Sequence, residues 1–189
     1  QGLTGASAAL LFSDREKARP AALTGALSAM AADLDIFIAS QSDPLLNIEI
    51  HRQFTHSFLF IPAGALVVAA VLYLFLKKQV KFRQLYLYSF AGLSTAGLLD
   101  AFTSYGTQLF WPFTDARIAW SVISIFDPIV TAGMILFVFL AVIKKGKRFA
   151  VFSLSWLALF LLYGAVQQQR AGTAAEGLAN GRDHSPDEW

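Results

Sequence analysis

Long apolar runs separated by short charged clusters organise this chain. Phe58 to Leu76 is a stretch of 19 residues without a charge, and Phe149 to Val166 is another of 18. A membrane-crossing helix needs about 20 mostly apolar residues. Ile129 to Ile143 is shorter and starts near Pro128. Leu85 to Leu109 is long enough but carries Asp100, and Ala21 to Ala39 is apolar except for Asp33 and Asp35. The pattern predicts five spans: A (21–39), B (57–76), C (85–109), D (128–143) and E (149–166). Residues 1–13 form a sixth apolar segment, too short to span, which reads as a re-entrant piece or the end of a cut helix. The expected fold class is an all-α polytopic membrane bundle over 1–166. Residues 167–189 are expected to be a polar tail, the start of a truncated C-terminal soluble region. The first residue is Gln1, and Asn180 to Trp189 is polar, so a fragment trimmed at both ends is expected. No basic stretch followed by a small-residue cleavage site marks a signal peptide.

Charge placement orients the spans. Arg15, Lys17 and Arg19 precede A; Lys77, Lys78, Lys81 and Arg83 join B to C; Lys144, Lys145, Lys147 and Arg148 join D to E. These are eleven of the fifteen Lys and Arg residues. Alternation of five spans puts all three clusters on one side, which the positive-inside rule makes cytoplasmic. Loops 14–19, 77–84 and 144–148 are then cytoplasmic, and 40–56, 110–127 and the tail are periplasmic. Gly25 with Ala29 and Gly92 with Ala96 are small pairs four apart, which let helices approach closely in lipid. Tyr86, Tyr88, Trp111 and Trp120 fall near span ends, as an aromatic belt would. No internal repeat or pair of broken transporter-type helices is visible.

Composition adds exclusions. The chain is 56% hydrophobic and 15% charged, with no Cys. That excludes a disordered chain and a nucleic-acid-binding tail. It also excludes a disulfide framework, a thiolate metal site and a Cys nucleophile.

The informative residues are polar ones inside apolar runs. A buried Asp costs roughly 2.5–3.5 kcal/mol at the centre of a membrane helix, yet Asp33, Asp35 and Asp100 are there. By the topology all three lie toward the outer face, where His51, His56 and Asp127 also fall. Carboxylate and imidazole donors suit Zn²⁺ or Mn²⁺ when no thiolate exists. Asp33 and Asp35 are about 200° apart on an α-helix, so both face one ion only if the helix ends or unwinds there. His51 and His56 work together only if His51 is in the loop and His56 in the first turn of B. Asp100, Thr103 and Thr107 share a helical face. Each residue also has a plainer role. Asp127-Pro128 and Asp43-Pro44 are helix starts, with Asp as N-cap and Pro at the first position. Thr55 or Ser57 caps B. Arg52 either clamps substrate or partners Asp33 or Asp35. Asp14, Glu16 and Asp115 are solvated, and His184 sits in the polar tail outside the ligand set.

Three strings then appear in a characteristic order: Ala32-Asp33-Leu34-Asp35, His51-Arg52-Gln53-Phe54-Thr55-His56-Ser57 and Leu99-Asp100-Ala101-Phe102-Thr103-Ser104-Tyr105-Gly106-Thr107. Ser124-Ile125-Phe126-Asp127-Pro128 follows. The chain resembles the YdjM-like family of inner-membrane metal-dependent hydrolases, also described as LexA-binding, over most of residues 1–166. That family is similar at a distance to zinc-dependent phospholipase C and the S1/P1 nucleases, helical enzymes that cleave phosphoesters with metal clusters. The resemblance implies metal ligation by Asp33 or Asp35, His51, His56 and Asp100, with Arg52 and Asp127 at the site. Two positions depart from the family pattern. Ala96 stands where His often precedes the Asp of span C by four residues, and Gln1 stands where many members have an N-terminal His. Members also commonly continue into a polar C-terminal domain.

The expected function is a metal-dependent hydrolase at the periplasmic face of the inner membrane, cleaving a phosphoester of a lipid or lipid-linked substrate. The assignment gives Asp35, His51, His56 and Asp100 to one or two divalent ions, Zn or Mn, and Asp33, Arg52 and Asp127 to catalysis. The expected partners are the bilayer and that substrate, with no nucleic acid. Two other classes compete: an ion- or proton-coupled transporter, and a membrane scaffold with a degenerate site, which Ala96 favours.

Overall fold

A computed structural model of the chain describes residues 1–38, 50–124 and 127–183. The Asp43-Pro44 helix start and His184 lie outside the described residues, as do Ile125 and Phe126. The described residues form six α-helices and no strand: α1 (Gly2–Leu11), α2 (Ala18–Ala31), α3 (Phe60–Leu76), α4 (Phe82–Ala101), α5 (Pro128–Ile143) and α6 (Lys147–Asp183). Short 3₁₀ turns at Arg15–Lys17, Ala32–Phe37 and Phe54–His56 join them.

Helix ends differ from the hydropathy pattern in three places. Span A stops being α-helical at Ala31 and tightens into the 3₁₀ turn Ala32–Phe37. Span C ends as a helix at Ala101, not at 109. Beyond it the chain doubles back, with Thr107 and Ile118 exchanging backbone hydrogen bonds and the Trp120 amide donating to the Ala101 carbonyl. Gly106 at φ 74° permits that reversal. The helix of span E continues through the expected polar tail to Asp183. Residues 167–178 are largely exposed on it, so the helix ignores the boundary that polarity suggested.

The short N-terminal segment is a central helix. α1 packs against α2, α4, α5 and α6, and Ser7 Oγ donates to Ser153 Oγ of α6 at 2.8 Å. The closest approach is at small residues. A Cβ on Gly25 would run into the Gly5 carbonyl, and one on Gly92 would run into the Gly25 carbonyl. The Gly25–Ala29 pair and Gly92 therefore serve close helix approach, as small-residue pairs do in lipid. Tyr88 departs from the expected aromatic belt: it is fully buried in the core with Ala9, Ala21, Ala69 and Leu85.

Inside and outside are inverted relative to a water-soluble bundle. Much of the interior is Ala, Gly, Ser and Thr, while Val67, Leu74, Phe75, Leu136, Phe139, Leu159 and Leu162 point outward. Among the described residues one stretch, Lys147–Leu178, is both long and apolar enough to cross a membrane; Gly2–Leu11, Phe60–Leu76 and Pro128–Ile143 are apolar but shorter.

The bundle has two distinct ends. Lys17 Nζ donates to Gln84 Oε1 at 2.8 Å, and Lys145 Nζ donates to Glu16 at 2.8 Å. These contacts gather the three basic connections at one end. Gln1, Asp33, Arg52, His56 and Asp100 meet at the other.

Candidate metal centre

The tightened turn at the end of α2 decides what Asp33 and Asp35 do. A 3₁₀ helix has three residues per turn, so side chains two apart diverge by about 120°. Asp35 turns inward and is buried. Its Oδ1 is 2.8 Å from His51 Nδ1, and its Oδ2 accepts from the Arg52 amide at 3.0 Å and from the Thr55 hydroxyl. Asp33 turns the other way and remains partly exposed.

His56 comes from the 3₁₀ turn before α3. Gly97 makes room for it, because a Cβ there would collide with the His56 carbonyl. Thr55 Oγ1 lies 2.9 Å from His56 Nδ1. With the Thr55 hydroxyl donating to Asp35, its oxygen is free to accept the Nδ1 proton. That leaves Nε2 facing Asp33 Oδ1 at 3.4 Å and Asp100 Oδ2 at 3.3 Å. Asp100 enters from the last turn of α4.

Two carboxylate oxygens and one imidazole nitrogen, each an acceptor when His56 is neutral, thus meet at one point. Their ligand atoms all lie within 4.8 Å of one another. With His56 and Asp100 buried, this arrangement favours a cation between the groups, in addition to the Arg52 guanidinium on Asp100. A proton can serve. Burial alone would depress the basicity of His56, but hydrogen bonds and charge from Asp100 and Asp33 outweigh it and raise the pKa to about 9. A divalent metal serves as well, and the donor set fits one: nitrogen and oxygen ligands without sulfur suit Zn²⁺ or Mn²⁺. His56 Nε2, Asp100 Oδ2 and Arg52 Nε are all buried, and their polar contacts are with one another and with Asp33, while Gln1 Oε1 is buried without a hydrogen-bond partner.

Arg52 sits at φ 62°, a left-handed conformation unusual for a side-chain-bearing residue. Its Nε is 3.1 Å from Asp100 Oδ2, its Nη1 donates to Thr103 Oγ1 at 3.3 Å, and its guanidinium lies over the Tyr105 ring. Its charged partner is therefore Asp100. Asp35 receives only its backbone amide. Thr103 is buried beside Asp100, donating to the Asp100 carbonyl at 2.7 Å. Thr107 does not share that helical face, because α4 has already ended. Ser57, not Thr55, braces the start of α3, its Oγ accepting from the Phe60 amide.

His51 is held by Asp35 and stands outside the triad, its ring centroid 6.4 Å from that of His56. Asp127 is the N-cap of α5, its Oδ1 accepting from the amides of Ile129 and Val130 with Pro128 at the first position. It also lines a cavity of about 500 Å³ together with Asp33, Arg52 and Asp100. The rest of that wall includes Leu3, Met30, Leu99, Met134 and Leu157, so the cavity has a charged part and an apolar part.

Gln1 is the residue that the sequence marked only as a departure. Its Nε2 donates to Asp100 Oδ1 at 2.8 Å and to Asp33 Oδ1 at 3.3 Å. Ala96, the other departure, is fully buried among Ala32, Ile61, Ala65 and Leu93. Apolar side chains occupy the place where a further ligand would stand.

Comparison with known proteins places these residues in context. The family model described as "YdjM inner membrane protein" matches residues 1–171. A protein of Bacillus subtilis (strain 168), "Uncharacterized protein YfhP", is 30% identical over 118 residues, covering 62% of this chain and 36% of its own length. The chain thus aligns with little more than a third of that curated relative. No solved structure matches.

Proposed function

Because the chain belongs to the YdjM inner membrane protein family, we propose that it is a membrane-bound, metal-dependent hydrolase with Asp33, His56 and Asp100 as its metal ligands. The observation that carries this reading is the convergence of His56 Nε2 and two carboxylate oxygens on one point, with His56 and Asp100 buried and Asp33 partly exposed. A bound Zn²⁺ or Mn²⁺ would lower the pKa of its water and stabilise negative charge on the attacked group. Gln1 stands beside the triad, its amide nitrogen donating to Asp33 and Asp100 and so orienting both carboxylates. Thr55 and Asp35 hold His56 with Nε2 free. Arg52 fixes Asp100 and offers its guanidinium to a phosphate oxygen. Asp127 is the carboxylate outside the triad that can accept a proton within the same cavity.

The two-part cavity supports an amphipathic substrate, a phosphoester of a lipid or lipid-linked molecule. The outward apolar side chains support five helices crossing the inner membrane. At 1.5 Å per residue, α3, α4 and α5 run about 24–30 Å, close to the thickness of the hydrocarbon core. With the basic end in the cytoplasm, the triad faces the periplasm.

The test is metal content and hydrolysis in the same preparation. Wild type purified with supplementation should retain about one Zn or Mn per chain and cleave a phosphodiester, as a metal-assisted hydrolase does. The His56→Ala, Asp100→Ala double variant should lose both. Wild type that retains no metal under any supplementation would falsify the hydrolase reading. That outcome would favour a second reading, a scaffold whose site has lost its metal. The apolar packing of Ala96 and the ion pair of Arg52 with Asp100 are its support.

A further inference from the structure

Two of the three basic connections converge at the end of the bundle opposite the triad. Arg15 from the α1–α2 connection joins Lys144, Lys145, Lys147 and Arg148 from the α5–α6 turn around a cavity of about 570 Å³. No acid lines it. Glu16 neutralises one of the five cations, Lys145, at 2.8 Å. Among the described residues no carboxylate pairs with Arg15, Lys144, Lys147 or Arg148. Like charges gathered around one concave space repel one another, and an anion between them relieves that repulsion.

The turn that gathers them is well defined. Lys145 adopts a left-handed φ of 49°, the Gly146 amide donates to the Ala141 carbonyl, and the Phe149 amide donates to the Gly146 carbonyl. Arg148 lies 4.9 Å above the Phe149 ring. α6 starts at Lys147, so the positive end of its helix dipole adds to the potential in the same space. Ile143, Val151 and Phe152 expose apolar side chains on the two helices next to the turn. A cationic pocket beside an apolar outer wall matches a molecule with a phosphate head and hydrocarbon tails. The positive-inside bias alone does not produce this geometry. Lys77, Lys78 and Lys81 carry the same bias, and none of them lines the cavity.

We propose that this cavity binds the phosphate headgroup of an anionic phospholipid from the leaflet at that end of the bundle. The site is independent of the metal centre and of any hydrolytic activity.

The full chain, purified in a neutral detergent, is loaded with equal mole fractions of phosphatidylglycerol and phosphatidylcholine, and retained lipid is counted by native mass spectrometry. Wild type should retain phosphatidylglycerol preferentially. The triple variant Lys144→Gln, Lys147→Gln, Arg148→Gln should reduce that retention about tenfold. A control triple, Lys77→Gln, Lys78→Gln, Lys81→Gln, removes the same charge from the same end and should change it little. Arg15→Gln, a single change at an exposed position, should give a smaller loss even if the triple folds poorly. Equal losses in the two triples would overturn the site, as would equal retention of the two lipids by wild type. Displacement of the lipid by millimolar inorganic phosphate would also overturn it, assigning the cavity to a soluble anion.

Discussion

The three residues that meet at the triad were visible in the sequence because charge is scarce in apolar runs, but their division of labour was not. Asp33 and Asp35 are two apart, and composition treats them alike. The course of the chain through the 3₁₀ turn sends Asp33 to His56 and Asp100 and Asp35 to His51, the Arg52 amide and Thr55. The role of Gln1 depended on α1 folding back along α2, a contact between distant parts of the chain that no local pattern encodes. Thr55 looked like a helix cap and instead links Asp35 to His56. A residue that orients a metal-binding His commonly changes metal affinity by about 10–100-fold when removed. Thr55→Val should therefore weaken zinc binding by about that factor in a chelator competition, while Thr55→Ser restores most of it. If valine leaves zinc affinity unchanged, Nε2 presentation does not depend on Thr55.

At the scale of elements, apolar length located the helix interiors well and the helix ends poorly. The polar segment after Asp100 suggested a continued helical face through Thr107. The chain breaks there because Trp120 and Val122 donate to the carbonyls of Ala101 and Phe102, which a longer helix would have needed for itself. The end of α6 failed in the opposite sense, the helix running on to Asp183 past the last apolar run. Small-residue spacing was the more reliable signal. Gly25 and Gly92 were legible as close-packing positions, and both lack room for a Cβ. Gly25→Ala must push α1 and α2 apart, with an expected cost of about 1–3 kcal/mol. Gly172→Ala, in a helix with nothing within 4 Å, should be neutral or slightly stabilising because it removes backbone entropy from the unfolded chain. Thermal unfolding of the two variants in one detergent separates these outcomes. Equal midpoints would mean that the Gly25 contact is not a constraint on packing.

For the whole molecule, the alternation of basic clusters along the sequence translates into two chemically different ends. Chain polarity forces this. Each helix begins at one end and finishes at the other, so three basic connections spaced by two helices each must meet. The contacts of Lys17 with Gln84 and of Lys145 with Glu16 hold them there. The triad is at the far end of the same helices, and the outward face between the ends is apolar. On the proposed reading one end faces each aqueous compartment, with the basic end in the cytoplasm and the triad outside. The chain has no Cys, so any introduced thiol is unique and reports its own side. Asp115→Cys and Lys78→Cys lie in connections at opposite ends, and both positions are exposed. In intact cells whose outer membrane has been made permeable, a membrane-impermeant maleimide should label Asp115→Cys and leave Lys78→Cys unmodified until the inner membrane is opened. The reverse pattern would put the triad in the cytoplasm, where a periplasmic lipid-linked phosphoester could not reach it. Labelling of both before opening would mean that the two ends share one compartment and that the bundle does not span.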